Sequence, residues 1–250
     1  MKFGENCIPQ VSIDCVVFGF HAHQLKVLLL RVRSMEYYAL PGGFVGQEEA
    51  LDEAAQRVLQ ERTGLTELYL EQFYTFGQRN RGEIEMQQKL AEVNQLSSAE
   101  WLQKRFISVG YYALVDFSLV KATPDALSDS CDWYDINQLP MLMMDHHQMI
   151  QKALDTLRIM LEYKPIAFNL LPESFTIAEL QRVYETILGK ELIRTNFQRK
   201  ILSLEILERI EKNIREGLTK PRMYTDLNPQ KNRMNRRRSM RFFFDWKVTF

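Results

Sequence analysis

Apolar positions recur along this chain with two different periods, and the changes of period mark out its elements. Residues 11–20 (VSIDCVVFGF) and 25–32 (LKVLLLRV) are rich in β-branched and aliphatic side chains, which predicts two strands joined by a His/Gln-containing turn. Pro41-Gly42-Gly43 then breaks the chain. From Glu48 to Arg62 the period lengthens. Leu51, Ala54, Ala55, Val58 and Leu59 recur at steps of three and four, as on a helix with one apolar side, and Gly64 stands where a helix-ending glycine would. LYLEQFYTFG (68–77) and RFISVGYYALVDFSLV (105–120) predict two more strands, with a helical excursion over 82–103 between them. CDWYDI (131–136) predicts a short strand, so the first part of the chain is an α/β (α+β) domain with a mixed sheet between helices.

The second part reads as helical. Asp145 to Leu161 predicts a connecting helix, with Met149, Ala153, Leu157 and Leu161 at steps of four, closed by Pro165. Thr176 and Glu179 form a T-x-x-E capping box, Ile177, Leu180, Tyr184, Ile187 and Leu188 supply an apolar face, and Gly189 the stop. A further helix begins near Arg194 after a short connection, with Phe197, Ile201 and Leu204 on one face and Thr195, Arg199 and Ser203 opposite. Leu207–Ile210 and RFFFDWKVTF (241–250) predict two strands, separated by a polar, basic stretch over 211–240. The expected division is a first domain over 1–140, a connecting helix and linker over 141–167, and a second domain over 168–250.

Composition narrows the class. An apolar fraction of 46% and a charged fraction of 26% describe a chain that packs a core. It has no apolar run of 18 residues and no charged-then-apolar leader, so a cytoplasmic protein without a membrane span is expected. Cys7, Cys15 and Cys131 have neither disulfide-framework nor metal-ligand spacing and read as buried thiols in a reducing compartment. The net charge of zero hides a division: residues 1–190 hold 17 Lys/Arg against 25 Asp/Glu, and residues 191–250 hold 15 against 7. A basic end on an acidic body suits a polyanion, of which nucleic acid is the usual one, with attraction between the two halves as the lesser alternative.

The polar side of the 193–204 segment, taken as a helix, adds chemistry to that charge. Thr195, Asn196, Gln198 and Arg199 are side chains able to read base edges, while Arg194 and Lys200 suit backbone phosphates. A capped helix, a tight turn and a second helix of this kind form a helix-turn-helix, and two strands joined by a basic loop would make it winged. That loop is expected to hold Lys212, Arg215, Lys220, Arg222 and Lys231, then the dense positive point Arg236, Arg237 and Arg238.

The stretch LPGGFVGQEEALDEAAQRVLQERTGL, from Leu40, carries a different signal. A magnesium-phosphate site needs several oxygen ligands, and carboxylates at i, i+3 and i+4 on a helix converge on one patch. Val58, Glu61 and Arg62 occupy such a triplet with a single carboxylate among them. Glu49, Asp52 and Glu53 stand a turn or two earlier, and an i, i+4 salt bridge accounts for Glu53 and Arg57. The stretch resembles the Nudix box: Gly43, Glu49, Arg57, Leu59, Glu61, Gly64 and Leu65 match in register, while two metal-binding glutamate positions fall on Val58 and Arg62. The resemblance implies a Nudix fold, and the two departures imply a pocket without catalytic residues or a resident metal.

DHHQMIQKALDTLRIM (145–160), FNLLPESFTIAELQRVYETILGKEL (168–192) and NFQRKILSL (196–204) are in turn similar to the Nudix-related transcriptional regulators. In that family a degenerate Nudix domain is fused to a C-terminal winged helix. The resemblance implies a homodimer that binds a double-stranded DNA operator and responds to a small-molecule effector, either an NAD-derived nucleotide such as ADP-ribose or a pentose such as arabinose. Arg57, Glu61, Arg79 and Arg81 are the candidate effector-binding residues. The chain departs from the family at the 82–103 insertion, at a wing of about 211–240, and at Ile193, where the family carries an acidic residue. The alternative is a magnesium-dependent Nudix hydrolase acting on a nucleoside diphosphate derivative, with an RNA-associated protein as a third reading.

Overall fold

The structure, a computed structural model, describes residues 6–79, 81, 104–204, 206–209 and 223–225. The expected helix over 82–103, the strand over 241–250 and Arg236, Arg237 and Arg238 lie outside the described residues. The chain divides into two compact units, Met1–Asp155 and Thr156–Phe250.

Unit one is built on a seven-stranded mixed sheet. Its strands are β1 (Cys7–His21), β2 (Gln24–Val32), β3 (Tyr38–Ala39), β4 (Gly42–Gly46), β5 (Tyr69–Phe76), β6 (Ile107–Val115) and β7 (Ser128–Asp135). The order is β3-β2-β1-β6-β5, with β4 added to β1 and β7 to β2. The long β1 is the hub. It runs parallel to β6 from Val11 to Gly19, antiparallel to β4 around Ile13, and antiparallel to β2 from Phe18 to His21.

The expected strands are present with altered limits, and tertiary pairing explains each change. Pro41-Gly42-Gly43 does turn the chain, but Gly42 and Gly43 already pair with Asp14 and Ile13, so the break opens directly into β4. A Cβ on Gly42 would lie 2.7 Å from Asp14 Oδ1 and 2.9 Å from the Ile13 carbonyl, so the close approach requires glycine. The 105–120 strand ends at Val115, where Asp116 caps a short 3-10 helix, Phe117–Leu119. β7 reaches back to Ser128 because its partner β2 is long enough to pair with it as far as Val32. The β1–β2 hairpin turns through Ala22 and His23, both at positive φ (49° and 63°), which matches the twist of the flanking strands without the usual Asn-Gly signal.

Alternation along β1 and β6 divides the core between two faces. Ile13, Cys15, Val17, Val109, Tyr111, Ala113 and Val115 pack with Ala54, Ala55, Val58 and Leu59 of helix α1 (Leu51–Thr63). The alternate positions, including Val16, Phe18, Tyr112 and Leu114, are also buried. α1 ends as its sequence predicts: Gly64 adopts a left-handed conformation (φ 74°) and its N–H donates to the Gln60 carbonyl at 2.8 Å. Its start is half-capped. Ala50 has no side-chain acceptor, and Glu53 reaches back to accept from the Ala50 N–H at 2.9 Å.

Helix α2 (His146–Tyr163) spans the division between the units. Unit two continues with a 3-10 turn (Ile166–Leu170), β8 (Ser174–Phe175), α3 (Ile177–Leu188), α4 (Arg194–Ser203), β9 (Leu207–Arg209) and β10 (Met223–Thr225). The three strands form one sheet in the order β8-β10-β9. The strand that returns to β9 is thus Met223–Thr225. β10 also pairs with β8, Met223 lying opposite Phe175. Apart from Met223–Thr225, the expected wing over 211–240 lies outside the described residues.

Candidate functional site

The Nudix-box region is organised by one salt-bridged frame. Arg57 on α1 donates from Nε to Glu49 Oε1 at 2.7 Å and from Nη2 to Glu49 Oε2 at 2.9 Å. The same Nη2 reaches the Phe44 carbonyl at 2.9 Å, and Glu49 Oε2 accepts from the Gly46 N–H at 2.9 Å. One arginine therefore ties the helix to β4 and to the loop that joins them. The Arg57 bond, followed by the Gly46 N–H and the Arg57 charge, holds the Glu49 carboxyl below its ordinary range against the opposing effect of partial burial. The expected Glu53–Arg57 pair is replaced: Glu53 caps the helix start, and Arg57 takes Glu49, which offers both oxygens to its fork.

Glu61, the remaining carboxylate of the expected triplet, is flanked by cations. Arg57 Nη1 lies 3.7 Å from its Oε1, and Arg62 Nη2 lies 3.2 Å from its Oε2. Arg62 also donates to the Pro124 carbonyl at 3.4 Å, which holds its side chain down at 12% exposure. Val58 is fully packed into the core, with its Cγ2 only 2.8 Å from where a Cβ on Gly43 would sit. These residues do not fit a magnesium ion, which wants converging oxygens free of neighbouring cations. Asp52 is engaged as well, accepting from the Tyr111 hydroxyl at 2.6 Å. Among the described residues no group of three or more His, Cys, Asp and Glu is placed to hold a metal ion.

The other two candidate effector ligands are separate from this frame. Arg79 is exposed beyond β5. Arg81 is buried in an acidic group, with Nε 2.7 Å and Nη2 2.9 Å from the two oxygens of Asp145, and Nη2 3.7 Å from Asp14 Oδ2. Burial opposes its charge, and the bond to Asp145 together with the charges of Asp14 and Asp145 more than offsets this, so its pKa stands above the ordinary value. Ser108 donates to Asp14, and His146 accepts the Leu40 N–H through Nδ1 at 3.1 Å with Nε2 3.7 Å from Asp14. Complete burial lowers the His146 pKa, so the imidazole is neutral and its one proton sits on Nε2. Sequence reasoning passed over Asp14, Ser108 and His146. The available signal was a carboxylate in the middle of an apolar strand, VSIDCVV.

In unit two the helix-turn-helix is built as the caps predict. Thr176 Oγ1 accepts from the Glu179 N–H at 3.1 Å while Glu179 Oε2 accepts from the Thr176 N–H at 2.6 Å, and Gly189 ends α3 at φ 67°. The turn is then clamped by side chains. Glu185 Oε1 accepts from the Leu192 N–H at 2.9 Å and from Gln181 Nε2 at 2.9 Å, and Gln181 also donates to the Leu192 carbonyl at 2.8 Å. Tyr184 and Phe197 meet edge-on at 5.3 Å between ring centres, locking α4 against α3. With Phe197 and Ile201 buried, Arg194, Thr195, Asn196, Gln198 and Arg199 are left exposed and Lys200 half-buried. Arg199 Nη2 donates to Asn196 Oδ1 at 3.2 Å, which pairs two of the expected base-reading groups.

A mixed-sheet domain with a turn–helix–turn frame, followed by a helix-turn-helix with a three-stranded sheet, defines a Nudix fold joined to a winged helix. The family comparisons agree in both halves: the NUDIX domain matches residues 8–153, and the NrtR DNA-binding winged helix domain matches residues 167–224. The chain belongs to the NUDIX family and, within it, to the NrtR-type DNA-binding transcriptional regulators. It is 29% identical over 223 residues to the ADPR responsive transcriptional repressor NtrR of Acinetobacter baylyi, covering 86% of this chain and 81% of that protein. The crystal structure of Shewanella oneidensis NrtR complexed with a 27mer DNA superimposes with a TM-score of 0.68 at 26% identity, over 86% of this chain and 93% of that one. An ADP-ribose pyrophosphatase of Methanocaldococcus jannaschii is 26% identical over 146 residues, 57% of this chain and 72% of that protein. Among the described residues no helix is long and apolar enough to cross a membrane.

Proposed function

We propose that the NUDIX domain of this regulator holds an ADP-ribose-like nucleotide without cleaving it, and that the chain acts in the cytoplasm as a homodimer on a two-fold operator. The observation that carries the reading is the arrangement around Glu61, where Arg57 and Arg62 stand beside the single carboxylate of the helical triplet. The charge of these two guanidiniums favours an anionic ligand nearby and opposes the divalent cation that hydrolysis calls for. The NtrR relative of Acinetobacter baylyi, by its description ADPR responsive, supports the nucleotide over the pentose. Operator binding rests on the winged-helix match and on the exposed polar side of α4.

A thermal-shift titration of the full chain with ADP-ribose, NAD and arabinose, with magnesium or with a chelator, tests this. ADP-ribose should raise the melting temperature equally in both conditions, by the equivalent of about 2.7 kcal/mol at a hundredfold excess over its Kd. The same ADP-ribose should weaken operator binding, and no AMP should form. Magnesium-dependent release of AMP at enzymatic rates returns the chain to the hydrolase reading, and stabilisation by arabinose alone overturns the nucleotide. Light scattering that finds a monomer in solution removes the dimer.

A further inference from the structure

The residue that opens α4 is out of keeping with its place. Ile193 is the N-cap of the helix, a position favoured by Ser, Thr, Asp and Asn because their side chains satisfy the first free N–H groups. It makes no side-chain cap, and its apolar side chain is 50% exposed. Packing does not account for it. The hydrophobic-staple positions on either side of a cap are held here by Leu192 and Phe197, both buried, so Ile193 is not needed to set the helix entry. What surrounds it in sequence and on the first turn is the polar set Arg194, Thr195 and Asn196, with Arg199 bonded to Asn196. An exposed aliphatic group is thus set at the N-terminal end of the base-reading helix, among cations and amides.

That end is the part of a helix-turn-helix recognition helix that meets base edges in the major groove. The only apolar group a base pair offers there is the C5-methyl of thymine. We infer that Ile193 is a specificity-determining residue that packs on a thymine methyl of the operator half-site, next to the base read by Asn196 and Arg199. Arginine and lysine neighbours hold the phosphates and Asn196 reads a hydrogen-bonding edge, so Ile193 supplies the discrimination of thymine from cytosine that those groups lack. The inference rests on operator binding through α4, as set out above.

The test uses the full chain and a duplex enriched from a random pool by the wild-type protein. Each thymine of a half-site is replaced in turn by deoxyuridine, which removes one methyl and leaves every hydrogen bond in place. Wild-type binding should weaken about fourfold at one position per half-site, the worth of one methyl transferred from water. Ile193→Ala should bind the thymine duplex more weakly and lose sensitivity to that methyl alone, with an unchanged melting temperature. Ile193→Val should keep part of the sensitivity, which covers the case of an unstable alanine variant. Ile193→Asp should melt higher, by gaining a cap, and bind more weakly. If wild type ignores every methyl, or Ile193→Ala remains as sensitive to the same one, Ile193 does not read thymine although operator binding stands. If no duplex is enriched, operator binding by this chain falls and the inference falls with it.

Discussion

Replacing Arg81 with methionine should destabilise the NUDIX domain by about 3 kcal/mol, toward the low end of the range for removing one member of a buried ion pair. The magnitude follows from what would be left behind. Asp14 and Asp145 are 13% and 12% exposed, and both face the guanidinium, Asp145 through two hydrogen bonds. Methionine fills most of the volume, so the loss is electrostatic and not a cavity. At roughly 2–4 °C per kcal/mol for a chain of this size, the melting temperature should fall by roughly 6–12 °C. Arg81→Lys should fall between, because an ammonium cannot reproduce the two-pronged bond. The decisive comparison is a double-mutant cycle with Asp145→Asn, followed by far-UV circular dichroism during thermal and urea unfolding. Once the Asp145 charge is gone, the further loss from Arg81→Met should shrink by more than about 1 kcal/mol. Simple additivity of the two changes, or a loss below about 1 kcal/mol for Arg81→Met alone, refutes the placement of Arg81 as the counter-ion of this buried group.

The neutral, fully buried His146 makes stability depend on pH in a defined sense. Its pKa is lowered in the folded chain, so its contribution is fully present above the ordinary value of about 6.5 and is lost as pH falls through the folded value; His146→Gln should flatten that acid limb of a urea-unfolding series. Gly64→Ala should lower stability by about 1 kcal/mol, since the residue caps α1 at φ 74°, and differential scanning calorimetry reads the shift. Arg199→Ala should narrow the gap between specific and non-specific duplexes in a fluorescence-anisotropy titration, whereas Arg194→Ala should weaken both and reduce the salt slope by about one. An Arg199→Ala chain with unchanged discrimination removes that side chain from base reading.

Much of the fold was legible in the sequence because its signals are local. α1 and α3 announce themselves through three-and-four spacing, through Thr176 with Glu179, and through Gly64 and Gly189, all of which act within one or two turns of backbone. The run of β-branched and aliphatic residues that identifies β1 and β2 is equally local, and the degenerate metal triplet at Val58, Glu61 and Arg62 needs only helical geometry to be read. What escaped was partner choice. Arg57 has Glu53 one turn away yet bonds Glu49, because the loop after β4 brings that carboxylate to the arginine fork with a Gly46 N–H already attached. Arg81 stands in the sequence as a candidate effector ligand and in the fold is the buried counter-ion of Asp145, 64 residues away.

The strand that closes the wing shows the same limit from another side. Met223–Thr225 is too short to show a strand period in the sequence, and it becomes β10 only by pairing with β9 and β8. By itself the sequence determined the caps, the helix faces, the two-part charge division and the missing carboxylates, since each depends on residues a few positions apart. Which charges meet across the fold and which strands pair were decided by the tertiary structure. Those outcomes depend on distances through space that the chain sets only when strands remote in sequence, such as β1 and β6, lie side by side.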